Sequence, residues 1–201
     1  MGYSIEDLAE NASFEEVAYL LLLGKLPTSS ELAEFEDELM NQRTMPDSLV
    51  SVVESIPASA HPMEVVRTII SYMGVIEPEK SFDDQLAIAK RLIGVTTTAI
   101  VYWYNFSHNG VKVSQDSGER SVAGHFLKLL RQEDIPELDK KTLDVSLTLY
   151  AEHEFNASTF TGRVCASTLS DLHSCLTAAV GSLRGPCLLY TSDAADDELG
   201  V

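Results

Sequence analysis

The chain has 201 residues, with 31 acidic against 14 basic side chains and a formal net charge of −17 at pH 7. So acidic a chain repels phosphate backbones and anionic headgroups, and no basic run stands as a local exception, so neither nucleic acid nor a membrane surface is expected as a partner. Its 45% hydrophobic content supplies a substantial core without disulfides or metal.

The longest uninterrupted apolar run, Val17 to Leu23, is seven residues, against the roughly 20 that cross a bilayer. Glu6, Asp7 and Glu10 stand where a signal peptide would carry positive charge. The chain therefore reads as cytoplasmic. Cys165, Cys175 and Cys187 are odd in number and lack C-x-x-C spacing, which suggests small buried thiols rather than a disulfide framework or a zinc site. Sequons at Asn11, Asn105 and Asn156 carry no weight in a chain that is not secreted.

In chain order, helix signals follow one another with almost no strand pattern between them. Ser13 to Glu16 is a capping box, and Gly24 supplies a left-handed stop after Val17 to Leu23. Thr28 to Glu31 repeats the capping box after Pro27, and Leu32, Phe35 and Leu39 then mark one face of an amphipathic helix. Pro46 and Pro62 read as first-turn prolines, the second opening a helix that stops at Gly74. Phe82 to Ser107 has no proline and only Gly94 to weaken it, so one long helix or two nearly collinear ones are expected, ended by Asn109-Gly110. Ser121 to Leu130 is a short helix, and Pro136 introduces a longer one through Leu143, Leu147 and Tyr150. Gly162, Ala166, Ser170, Ser174, Ala178 and Ser182 recur every four residues, which predicts a last helix with a stripe of small side chains that lets another helix approach closely. No repeat or linker precedes Pro186. After it, Cys187 to Val201 is acidic with no helical face.

Absent motifs exclude whole reaction classes: there is no G-x-G-x-x-G, no P-loop and no G-x-S-x-G. His153-Glu154 starts like a zincin helix, but Ala157 stands where the second histidine ligand belongs. Among the histidines, His61 and His108 fit capping and turn positions, and His125 and His173 fit satisfied core or interface positions. His153 differs, because Glu152, Glu154, Asn156, Ser158, Thr159 and Thr161 surround it at the junction of two helices. Such a cluster suits a small anionic or carbonyl ligand, although polar residues also gather at helix ends simply to cap them.

Glu152-His153-Glu154-Phe155-Asn156-Ala157-Ser158-Thr159-Phe160 resembles the signature helix junction of the citrate synthase family. With Tyr150-Ala151 before it, this stretch is most similar to the 2-methylcitrate synthase branch. Phe14-Glu15-Glu16-Val17-Ala18-Tyr19-Leu20-Leu21, Gly24-Lys25-Leu26-Pro27-Thr28, Ala60-His61-Pro62-Met63, Tyr102-Trp103-Tyr104, Phe106-Ser107-His108, Gly124-His125-Phe126-Leu127 and Leu183-Arg184-Gly185-Pro186 fall in the family's order. The resemblance implies an all-α fold, the large helical domain of this family over residues 1–186. It also implies a homodimer that condenses propionyl-CoA with oxaloacetate to 2-methylcitrate and CoA, with acyl-CoA as a substrate and no cofactor or metal. Citrate synthase using acetyl-CoA is the alternative.

In that chemistry an aspartate removes a proton alpha to the thioester while histidines stabilise the enolate and polarise the oxaloacetate carbonyl. His153 matches the histidine that hydrogen-bonds oxaloacetate, with Asn156 and Ser158 supporting it. The catalytic histidines and aspartate are expected beyond Pro186, where this chain instead has Cys187-Leu188-Leu189-Tyr190. Residues 187–201 are expected to be a non-family, artefactual tail, in which Thr191 to Glu198 resembles translated adapter sequence, and the start at Met1-Gly2-Tyr3 is expected to be incomplete. The isolated chain is then expected to be inactive, or, if the tail is genuine, to be a helical dimerisation module.

Overall fold

The computed structural model describes residues 2–152 and 156–185. Among these the chain is all-α, and it forms two compact units, one drawn from Met1–Ala58 with Leu86–His153 and the other from Ser59–Gln85 with Glu154–Val201.

The first unit holds α1 (Ile5–Asn11), α2 (Phe14–Leu23), α3 (Ser29–Asn41) and α4 (Asp47–Ser55). Both expected capping boxes are formed: Ser13 and Glu16 exchange side-chain-to-backbone hydrogen bonds of 2.8 and 3.2 Å, and Thr28 and Glu31 do the same. Gly24 closes α2 with a φ of +79°, a region open to glycine at little cost. Pro46 sits one position earlier than expected, at the N-cap of α4 rather than in its first turn. The pattern reading gave no helix at α1, a two-turn segment held by Ser4, whose hydroxyl accepts from the Asp7 N–H.

A 3-10 turn at Phe82–Asp84 leads into α6 (Gln85–Asn109), one continuous helix that ends at Gly110 with φ +67°. By length and composition 82–109 could cross a membrane, although Lys90, Arg91 and Thr96 to Thr98 interrupt its apolar runs. Here its apolar face is buried instead: Leu92, Val95, Ala99, Val101 and Trp103 belong to the core, and Asn105, also buried, donates to the carbonyls of Val101 and Leu129. Gly94 has a packing reason. A Cβ there would lie 3.0 Å from the Leu39 oxygen and from the Gln42 carbonyl carbon, both backbone atoms. Gly94→Ala is therefore expected to cost about 1–3 kcal/mol by overpacking, more than the roughly 1 kcal/mol that alanine gains in helix propensity. A thermal melt of the variant checks this, and an unchanged or raised midpoint would show that α3 and α6 separate freely.

Then come α7 (Val122–Arg131), with Ser121 as N-cap, and α8 (Glu137–Tyr150) after Pro136. A buried polar seam organises the entrance to α7. Glu15 on α2 accepts from the Val122 N–H at 2.7 Å, and its burial raises its carboxyl above the usual range. Arg43, 4% exposed, donates to the carbonyls of Glu119, Arg120 and Ser121 at 2.5, 2.6 and 3.2 Å. His125, fully buried, pairs Nε2 with the Thr98 hydroxyl at 2.9 Å and Nδ1 with the Ser117 hydroxyl at 2.8 Å. It is the satisfied core histidine that its apolar surroundings predict.

The second unit holds α5 (Pro62–Ile76), α9 (Ala157–Ala166) and α10 (Leu172–Leu183). Pro62 occupies the first turn of α5, and His61 caps it, its Nδ1 accepting from the Met63 N–H. The expected stop at Gly74 is wrong, because α5 runs two residues further to Ile76. Gly74 is a contact residue: a Cβ there would fall 2.8 Å from that of His173 on α10.

The single last helix is also corrected, since α9 and α10 form an antiparallel hairpin. The hydroxyls of Ser167 and Thr168 donate to the carbonyls of Val164 and Cys165, which ends α9, and Leu169 turns left-handed at φ +62°. Asp171 then caps α10 by accepting from Ser174. The close approach predicted from the small residues is met inside the hairpin, where a Cβ on Gly162 would lie 3.6 Å from that of Ala179.

Candidate functional site

His153, the histidine singled out by the sequence, lies outside the described residues. The two residues grouped with it are described. Asn156 is the N-cap of α9, its side-chain oxygen accepting from the Thr159 N–H at 2.7 Å and from the Ser158 hydroxyl at 2.5 Å. Each is half-buried. The Asn156 side-chain oxygen and the Ser158 hydroxyl proton are thus engaged at the helix start, which fixes the backbone there.

Because the hairpin is antiparallel, the start of α9 lies beside the end of α10. The Ser182 hydroxyl donates to that of Thr161 at 2.7 Å, which closes this end of the pair. Arg184, just past α10, reaches Glu64 on the first turn of α5, Nε to Oε1 3.2 Å. Glu64 also accepts from the His61 N–H, and that bond is the leading cause that holds its carboxyl below the usual range. Three helix ends and the stretches 156–161 and 182–185 are thus tied together at one end of the second unit. Glu64 compensates both the guanidinium and the α5 N-terminus, and Asn156 caps α9, so the cluster ties the helix ends together with its charges paired.

The Glu64–Arg184 pair escapes sequence reading, since its partners are 120 residues apart. Only the His61-x-x-Glu64 spacing left a local trace. A separate concavity of about 400 Å³ on the α5–α10 face is lined by Gly74, His173 and Thr177 among others. His173 is buried there as expected, but it is not satisfied: Nδ1 lacks a hydrogen-bond partner and stands 3.8 Å from Asp171. Burial pushes its pKa down. Among the described residues no cluster of three or more His, Cys, Asp or Glu could hold a metal ion.

The family profile described as citrate synthase, C-terminal domain, matches residues 1–190. The chain is 55% identical over 194 residues to 2-methylcitrate synthase of Shewanella oneidensis, covering 96% of this chain and 52% of that protein. It is 37% identical over 189 residues to citrate synthase of Deinococcus radiodurans, covering 92% and 50%. Among solved structures, citrate synthase of Thermotoga maritima superposes with a TM-score of 0.81 at 32% identity, over 98% of this chain and 52% of that one. Citrate synthase of Thermoplasma acidophilum, solved as a ternary complex with carboxymethyl coenzyme A and oxaloacetate, gives 0.84 at 29% identity, over 92% and 49%. The chain spans about half the length of the relatives it matches.

Proposed function

The chain belongs to the citrate synthase family, and from that premise we propose that the whole protein condenses propionyl-CoA with oxaloacetate to 2-methylcitrate and CoA. The observation that carries this choice of acyl group is the 55% identity to a 2-methylcitrate synthase, set against 37% to a citrate synthase. Citrate synthesis from acetyl-CoA is the second reading, supported by the citrate synthase neighbours in structure. In either reading acyl-CoA is a substrate, no cofactor is needed, and the protein works as a cytoplasmic homodimer.

The proton alpha to a thioester is weakly acidic, so a carboxylate base succeeds only where fixed donors stabilise the developing enolate. This chain's share of the work is to hold the acceptor. His153 donates to oxaloacetate, while Asn156 and Ser158 fix the backbone that follows it through the α9 cap. The tied helix ends provide a rigid platform.

The test is to measure CoA thiol release by the full-length protein with oxaloacetate and either acyl-CoA. A methylene is worth about 1–3 kcal/mol in a pocket, so kcat/KM is expected to favour propionyl-CoA by roughly tenfold or more. Preference for acetyl-CoA would establish the second reading, and no thiol release with either would overturn both. His153→Ala is expected to lower kcat/KM by about 10²-fold, as loss of a donor to a polarised oxygen does, with a raised KM for oxaloacetate.

A further inference from the structure

We propose that Cys165 and Cys175 form a redox-reversible disulfide that staples α9 to α10, with a hydroperoxide as oxidant. The register of the hairpin puts the two residues opposite each other. The Thr161–Ser182 bond and the contact of Gly162 with Ala179 and with the Cys175 carbonyl fix the alignment. Cys165, one helical turn beyond Gly162, then comes opposite Cys175, one turn before Ala179, and Cys165 adds to the upward push that burial exerts on the Cys175 thiol. A disulfide needs a Cβ-to-Cβ separation of about 3.5–4.5 Å. The helices already approach that closely one turn away, where the Gly162 and Ala179 Cβ positions are 3.6 Å apart.

The two thiols are not equivalent, and the difference assigns their roles. Cys165 is half-buried, while Cys175 is 7% exposed, donates weakly to the Ser170 carbonyl at 3.6 Å, and has its thiol pushed up to about 11 by burial and by Cys165. Cys165 therefore meets the peroxide first. Its sulfur attacks the O–O bond, taking one oxygen as a sulfenic acid and releasing the other as an alcohol or water. The Cys175 sulfur then attacks the Cys165 sulfur; the S–S bond forms, the S–O bond breaks, and hydroxide leaves with the Cys175 proton as water. The two thiols supply two electrons and the peroxide takes them. Thiol exchange with a small dithiol restores the starting state. A pair of this kind suits a chain with no disulfide framework, since disulfides in a reducing compartment are typically transient.

The test uses the full-length protein, treated with hydrogen peroxide, alkylated without reduction and digested with trypsin. One tryptic peptide, Val164–Arg184, contains both cysteines. It is expected to lose the mass of two hydrogens, to lose alkylation at both thiols, and to recover both after dithiothreitol. Cys175→Ala is expected to leave Cys165 as a sulfenic acid trapped by dimedone, and Cys165→Ala to leave Cys175 alkylatable. The proposal is overturned if both thiols of the wild-type protein stay alkylatable after peroxide, if Cys165 passes straight to sulfinic acid, or if either cysteine is found joined to a different peptide. The wild-type mapping decides the matter even if a variant does not fold.

Discussion

Arg43→Ala is expected to destabilise the protein by about 3–5 kcal/mol, the cost typical of removing one member of a buried charged network. The guanidinium serves three successive carbonyls, Glu119, Arg120 and Ser121, from a position 4% exposed. Burial lowers its pKa and the charges of Glu15, Asp116 and Glu119 support the protonated form. Truncation takes the Arg43 donor from the part-buried Glu119 and Arg120 carbonyls, while Ser121 keeps the His125 N–H, and it removes the charge that supports Glu15. Arg43→Lys keeps the charge but offers a single point where a planar fork spans the carbonyls, so it is expected to recover less than half of the loss. Urea unfolding followed by circular dichroism checks both variants. Near-wild-type stability of Arg43→Ala would mean that the loop before α7 finds other donors.

The second large effect is on the acid side. Burial, reinforced by the Arg43 charge and opposed by Asp116, pushes His125 from its ordinary 6.5 down to about 3. A histidine depressed on folding binds fewer protons folded than unfolded, so its contribution is fully present above pH 6.5 and is lost as pH falls toward 3. By pH 5 the loss is about 2 kcal/mol, and by pH 3 it is roughly 4–5 kcal/mol, taking about 1.4 kcal/mol per unit. Glu15 and Asp144 act with opposite sign: burial raises both carboxyls, and falling pH relieves that cost. His125→Gln, which retains hydrogen-bonding capacity but does not titrate, is expected to flatten the dependence of stability on pH between 6.5 and 4. A slope equal to that of the wild-type protein would refute the assignment.

What the sequence made legible was local. Capping boxes, the left-handed glycine after α2 and the proline of α5 act through neighbours a few residues away, and each lies where its chemistry requires. Glycines inside helices were the failure. Gly74 and Gly94 carry the same local meaning as a helix stop or weak point, yet both serve close contacts with residues far along the chain. Period-four spacing of small residues continued across the α9–α10 break, because spacing alone does not record that Leu169 turns left-handed or that Asp171 caps a new helix. At the candidate site, the polar cluster after Glu152 and the family resemblance were readable. The Glu64–Arg184 pair that ties the helix ends depends on tertiary packing alone.

The division of the second unit between Ser59–Gln85 and the stretch after residue 153 also fixes an order of events during synthesis. Helix α5 leaves the ribosome long before α10 exists. At about 5–20 residues per second, translation takes roughly 5–20 s to cover the intervening stretch. Throughout that interval α5 lacks the helix that packs at Gly74, while every residue of α1 to α4 and α6 to α8 is made before α10. The first unit can therefore begin to fold on the nascent chain, and the second unit can close only when its last helix emerges.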